Sequence, residues 1–167
     1  MQAICKRAAV TAPSLYHHYG NKDGLIAAAV ESLAETWLHL LDSSIPRSSD
    51  LAAMLASAAH NWEAMVLSPE RPLAVFTWVS LLTAPESEEA TRALQHSLDV
   101  GAALIVERLL PYFEPADAAA IAQLSISSLI GTAVIYHVDG DASQVRGRLA
   151  ALTESVRSMA DAAPRSD

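Results

Sequence analysis

Cysteine occurs once in this sequence, at Cys5, so no disulfide can close within the chain and a reducing compartment fits. The lone thiol reads as a small side chain packed in a helix, with a redox sensor as the alternative. Aromatic residues make up 5% and charged residues 18%, against 51% hydrophobic residues rich in alanine, which leaves material for a large core of close-packed helices. No run of about 18 residues is apolar throughout. The nearest, Ala118 to Val138, is interrupted by Gln123, Ser125, Ser127, Ser128, Thr132 and His137 and reads as a buried bundle helix rather than a membrane span. The N-terminus has no apolar run of the kind a signal peptide needs. No stretch alternates with period two, no glycine-rich phosphate loop or G-x-S-x-G elbow is present, and no solenoid repeat is found.

Lysine is almost as scarce: both copies, Lys6 and Lys22, fall in the first 24 residues with Arg7, against one carboxylate, Asp23. The rest of the chain carries eight arginines and eighteen carboxylates, and the net charge is −8. The total argues against a nucleic-acid binder, but a basic start on an acidic remainder is what a DNA-binding head needs, because phosphate neutralisation carries most of the affinity.

The stretch from Ala9 to Lys22 organises the chain. Thr11 is placed to cap a short helix by accepting from the Ser14 N–H, and Pro13 falls in the first turn, where a missing N–H costs nothing. Gly20 sits where a left-handed residue ends the helix, and Asn21 can cap the next one, from Lys22 or Asp23. Tyr16, His17, His18, Tyr19 and Lys22 gather phenols, imidazoles and an ammonium on or just after this turn, and such groups hold phosphates.

Ile4-Cys5-Lys6-Arg7-Ala8-Ala9-Val10-Thr11, followed by Ser14-Leu15-Tyr16-His17-His18-Tyr19-Gly20-Asn21-Lys22 and Leu25, resembles the DNA-binding signature of the tetracycline-repressor (TetR/AcrR) family, with Cys5 for the usual alanine and Ala9 for the usual glycine. The resemblance covers about residues 3 to 33. It implies a helix-turn-helix in which Ala12, Pro13 and Ser14 reach base edges, Thr11, Tyr16, His18 and Lys22 hold phosphates, and His17 faces the groove. It also implies a helix ahead of Ile4, so the sequence reads as an N-terminally truncated, incomplete head. Ala12 and Pro13 offer only apolar contact, for example with a thymine methyl, and Ser14 discriminates little, so direct readout is thin.

Downstream, the periodicity predicts helices alone. One runs from Lys22 to about Leu41 with a seam of Ile26, Val30, Leu33, Trp37, Leu40 and Leu41. Ser43 to Ser49 reads as a linker. Further helices are expected over about Asp50–Leu67, Leu73–Leu82 (apolar nearly all round and therefore central), Glu86–Leu110, Ala116–Tyr136 and Ala142–Met159, with Ser68-Pro69-Glu70 starting and Thr83-Ala84-Pro85 ending the central one and a turn over His137 to Asp141. Asp141 and Gln144 have N-cap and N3 spacing, and the tail from Ala162 to Asp167 is expected to fray. The resemblance implies that the last two helices, about 116–136 and 142–159, join a second copy in a four-helix homodimer; closing the monomer's own core is the plainer alternative.

The expected protein is all-α: an incomplete helix-turn-helix head with its linking helix over residues 1–42, and a helical regulatory and dimerisation domain over 43–167. Met54, His60, Trp62, Met65, Phe76, Trp78 and His96 are candidates for an effector pocket by the resemblance, and ordinary core packing is the plainer reading of each. His60 and His96 lack metal-ligand spacing, adjacent His17 and His18 diverge on a helix, and Glu86, Glu88 and Glu89 read as a solvated helix start. No metal, no cofactor and no catalysis are expected. The reading is a cytoplasmic, ligand-responsive regulator bound to double-stranded operator DNA, most often a repressor in this family, released when an unknown small molecule tilts the helix containing Trp37. The alternative is a dimerisation or ligand-binding module that does not bind DNA by itself.

Overall fold

The computed structural model describes residues 1–68 and 88–162, and all regular structure among them is helical. The helices are α1 (Gln2–Ala8), α2 (Ala12–Tyr19), α3 (Lys22–Ser44), α4 (Leu51–Val66), α5 (Glu88–Leu109), α6 (Pro115–Asp139) and α7 (Ala142–Ala162). The expected central helix over 73–82, its flanking signals from Pro69 onward, and the tail beyond Ala162 lie outside the described residues.

The chain's caps set these boundaries. Thr11 accepts from the Ser14 N–H at 3.3 Å and Asn21 from the Gly24 N–H at 2.8 Å, as their spacing predicts. Asp50 accepts from the Ala52 N–H at 2.9 Å and starts α4. Pro115 opens α6 after Glu114, and Gly140 closes it with φ 67°, so the helix continues through His137 to Asp139, three residues past its expected end. Asp141 accepts from both the N–H and the hydroxyl of Ser143, while the Gln144 carboxamide oxygen accepts from Arg148.

A bundle of α4 to α7 holds the main core. Val145, Leu149 and Val156 of α7 meet Met54, Trp62 and Val66 of α4, and Ile105 and Leu109 of α5 and Ile121, Ala122, Ile126 and Leu129 of α6 complete it. By length and composition both α3 and α6 could cross a membrane. In the fold both pack along α5, and α6 buries Ala118, Ile121, Ala122, Ile126, Leu129, Thr132 and Ala133.

A second, smaller cluster joins α3 to α5 through Val30, Ala34, Ala90 and Leu94, and Trp37 touches both clusters. The buried line of α3 is Ala27, Val30, Ala34, Leu41 and Ser44; it keeps Val30 and Leu41 of the expected seam, while Ile26, Leu33, Trp37 and Leu40 are half-buried. Close approach explains the shift. Gly101 on α5 admits the Trp37 ring so tightly that a Cβ there would lie 2.3 Å from its Cη2. Alanines on α3 let the helices meet, and the larger Ile26, Leu33 and Leu40 flank the contact half-buried.

Candidate nucleic-acid interface

The head consists of α1 and α2, neither of which buries a residue. It is held by turns and close backbone approach rather than by a core. Ala9 ends α1 in the left-handed region, φ 52° and ψ 38°, which is where the resembling family usually places glycine. Gly20 ends α2 at φ 75°, donating to the Tyr16 carbonyl at 2.9 Å. Gly24 then lets α3 pass beneath the end of α2, because a Cβ at that position would sit 2.1 Å from the Tyr19 carbonyl oxygen.

The candidate DNA contacts all lie on α2 or at its two ends. Thr11, Pro13, Ser14, His17, His18 and Lys22 are exposed, Tyr16 is 42% exposed and Ala12 is half-buried. The His17 and His18 rings meet edge to face with centroids 5.6 Å apart. Lys6, Arg7 and Lys22 outnumber Asp23, the one carboxylate of the first 24 residues, so this end of the chain is net positive. Cys5 is half-buried on α1, which corrects the expectation of a packed thiol: α1 has no core to enter. Ile4, Val10, Tyr16 and Tyr19 make the head unusually apolar for an exposed element.

The far end of α3 is gripped by a polar clasp. Arg108, 7% exposed, donates from Nε to the Ile45 carbonyl at 3.1 Å and from Nη2 to the Asp42 carboxylate. Its Nη1 lies 3.2 Å from the Glu107 carboxylate, which also accepts from Arg47 at 2.6 Å. The hydrogen bond and charge of Arg47, with the charge of Arg108 adding, hold the Glu107 carboxyl below its ordinary range. Asn61 donates to the Ser44 carbonyl at 3.0 Å, and the Tyr112 hydroxyl donates to the Ser48 carbonyl. The stretch expected as a linker is therefore an anchor. Ser43 and Ser44 stay helical, their hydroxyls bonded back to the Leu40 and Leu41 carbonyls, and Ile45 is buried. Two of Arg108's partners, Ile45 and Asp42, lie more than 60 residues away, and no local signal in the sequence marks them.

A cavity of about 60 Å³ opens between α4, α5, α6 and α7. Met54 and Trp62 line it, as do Ile105, Arg108, Ser125 and Leu149. Of the other expected pocket residues, His60 and His96 are exposed, and Met65 packs half-buried against the core without lining the cavity. The histidines miss it because they fall on the polar sides of α4 and α5. Phe76 and Trp78 lie outside the described residues. No group of three metal-binding side chains occurs among the described residues.

Residues 1–29 match the family of bacterial regulatory proteins, tetR family. A crystal structure of a transcriptional regulator from Rhodococcus sp. Rha1 superposes with a TM-score of 0.79 at 20% identity, covering 96% of this chain and 86% of that one. No curated protein matches.

Proposed function

We propose that this chain, a TetR-family protein by its head and in its fold, is a ligand-responsive, homodimeric regulator that binds operator DNA in the cytoplasm and leaves it when an effector occupies the body. The observation that carries the reading is the placement of α2: a capped, exposed helix in a net-positive stretch, mounted on one end of α3, whose other end is clasped to the body. A lever so mounted carries a change in the body to the recognition surface. The head and its lever form one domain and the helices after the clasp the other.

Two copies would meet through α6 and α7. Leu124, Ile135, Val138 and Met159 are 40%, 40%, 82% and 44% exposed, and a Cβ built on Gly131 or Gly147 meets nothing within 4 Å, so a partner helix can approach closely there. Light scattering after gel filtration is expected to give twice the chain mass, and L124R/I135R to give the single mass. The cavity is small, so an effector enters by prising α4 from α7, and the load reaches α3 through Arg108, which both lines the cavity and grips Asp42 and Ile45.

Fluorescence anisotropy on duplex DNA tests the regulator. Salt-dependent binding is expected, with Arg7→Ala and Lys22→Ala each flattening the plot of log affinity against log salt by about 0.9. Effectors are those compounds that lower the affinity; if none in a broad metabolite screen does, the switch falls and the DNA binding stands. One observation favours a second reading, a dimerisation module without DNA binding of its own: nothing in α1 or α2 is buried. Absence of binding even at 20 mM salt, with the dimer intact, would establish it.

A further inference from the structure

We propose that the body's cavity takes an uncharged, largely apolar molecule with one carbonyl oxygen, and that this oxygen accepts from Nη1 of Arg108. The proposal rests on the reading above that an effector occupies the body, and it names the chemical class of that effector.

Among the described residues no carboxylate or amine lines the cavity. Apart from the Trp62 indole, the polar side chains on its walls are Arg108, Ser125 and Thr153. The Thr153 hydroxyl already donates to the Ala150 carbonyl at 2.9 Å. Arg108, 7% exposed, spends Nε on the Ile45 carbonyl and Nη2 on Asp42. Its Nη1 is sealed from solvent and makes no hydrogen bond among the described residues. Glu107 stands 3.2 Å from that nitrogen and meets its charge, but without hydrogen-bond geometry. A buried N–H without an acceptor is costly, and native proteins leave few of them. This one belongs to a side chain on the wall of an otherwise apolar cavity, which is how ligand sites place their orienting group.

Electrostatics selects the acceptor. Arg47 and Arg108 face Asp42 and Glu107, so the clasp's cations and anions already balance. A ligand carboxylate would enter as a third anion, with no spare cation to offset its desolvation. An ammonium would be buried beside a guanidinium. A hydrocarbon would suit the walls and still leave Nη1 without an acceptor. The carbonyl of a ketone or ester supplies the acceptor and no charge, and its apolar body suits walls that include Ile105, Leu129, Leu149 and Val156. The space, about 60 Å³, is smaller than such a molecule, so entry parts α4 from α7 as described above. The ligand then touches the same side chain that holds Ile45 and Asp42 at the end of the lever.

The test is calorimetry on the full chain at neutral pH with three probes built on one ring: cyclohexanone, methylenecyclohexane and cyclohexanecarboxylate. Methylenecyclohexane keeps the ketone's shape and replaces its oxygen by a methylene group. Each neutral probe's affinity is set against its own transfer from water to hexane, which offers no donor. On that scale cyclohexanone is expected to bind at least about tenfold better than methylenecyclohexane, the worth of a hydrogen bond to a charged donor. The carboxylate is expected not to bind detectably. R108K keeps a cation for Asp42 and removes Nη1, so it should erase the ketone's advantage and leave the alkene's affinity unchanged. Circular dichroism checks that this variant folds, and the wild-type comparison stands without it. A58M, which fills the cavity from α4, should abolish binding of both neutral probes. Equal corrected affinities, tighter binding of the carboxylate, no binding by any probe, an advantage that survives R108K in a folded chain, or binding that survives A58M each overturns the inference. The effector reading fails separately. It falls if cyclohexanone binds and no compound, this one included, changes DNA affinity; it stands if a charged compound lowers that affinity while the ketone does not bind.

Discussion

The head and the bundle differ in burial: the head's two helices bury no residue, while the bundle closes a core drawn from four helices. Ile4, Val10, Tyr16 and Tyr19 remain 39–48% exposed, whereas Val145, Leu41, Ala118 and Ala122 are fully sealed. The difference is one of partners. In α4 to α7 the apolar stripes face other helices of the bundle, whereas among the described residues α1 and α2 pack mainly on each other and, through α2, on α3. A short helix gains little from its own hydrogen bonds, so the head is ordered by caps and turns, and its stability is local. The bundle is a cooperative unit; the head is an appendage whose order is completed by what it touches.

The sharpest way to break that comparison is to delete side chains in both regions. Leu41→Ala, at 0% exposure where α3 enters the main core, is expected to cost about 3 kcal/mol in denaturant unfolding. Ile4→Ala, at 48% exposure, should cost under about 0.5 kcal/mol in the same measurement. Hydrogen exchange should agree, with amides of residues 3–20 exchanging well before those of 121–136. Equal costs, or equal protection, would mean that the head belongs to the cooperative unit after all.

Next in size is the seam between the two regions. Gly101→Ala gains roughly 1 kcal/mol of helix propensity, yet places a methyl 2.3 Å from the Trp37 ring and 3.3 Å from Leu41. Overpacking of this kind costs about 1–3 kcal/mol, and the ring, half-buried, yields partway, so the net expected loss is about 1 kcal/mol. Trp37 emission should shift toward the red as the ring is pushed outward. W37L in the same chain should restore stability; failure to do so would place the strain elsewhere.

Much of this was legible in the sequence where the cause is local. Thr11, Asn21, Gly20 and Pro13 announced the head's turns because a cap or a positive φ is decided within four residues. Helix periods gave the all-α class for the same reason. What was not legible is who meets whom. The α3 seam was read through its large residues, of which Val30, Trp37 and Leu41 do enter the contact, but the small residues that let the helices approach, Ala34 on α3 and Gly101 on α5, were not marked by periodicity. The clasp on Arg108 was missed because its partners are distant in sequence. The histidines expected at a pocket, His60 and His96, face solvent, since periodicity fixes which residues share a side and not which side closes over a cavity.

Ala9 offers a smaller effect that raises the head toward the body. Its left-handed backbone costs an alanine about 1–2 kcal/mol, and glycine gives back roughly 0.5–1 kcal/mol of that in unfolded-state entropy. A9G should therefore stabilise the head by about 0.5–1 kcal/mol, slow amide exchange across residues 3–20, and leave global unfolding unchanged. A rise in global unfolding free energy instead would again join head to bundle.

The smallest expected effect lies at the clasp. Because Arg47 and Arg108 hold the Glu107 carboxyl below its ordinary range, that contribution is complete above the unfolded carboxylate pKa and is lost as pH falls through the lowered folded value. Arg47 and Glu107 are 71% and 53% exposed, so salt screens their pair and E107Q should change stability little at neutral pH. Arg108 is different: at 7% exposure it keeps the Ile45 carbonyl, an uncharged partner, when Glu107 is neutral, so the lever stays attached while the outer ion pair lets go. Melting temperatures of the wild type and E107Q should therefore converge as pH falls through the lowered folded value of Glu107, with their separation at pH 7 shrinking in 0.5 M salt. A separation that persists at both extremes would mean that Glu107 holds α3 by something other than its charge.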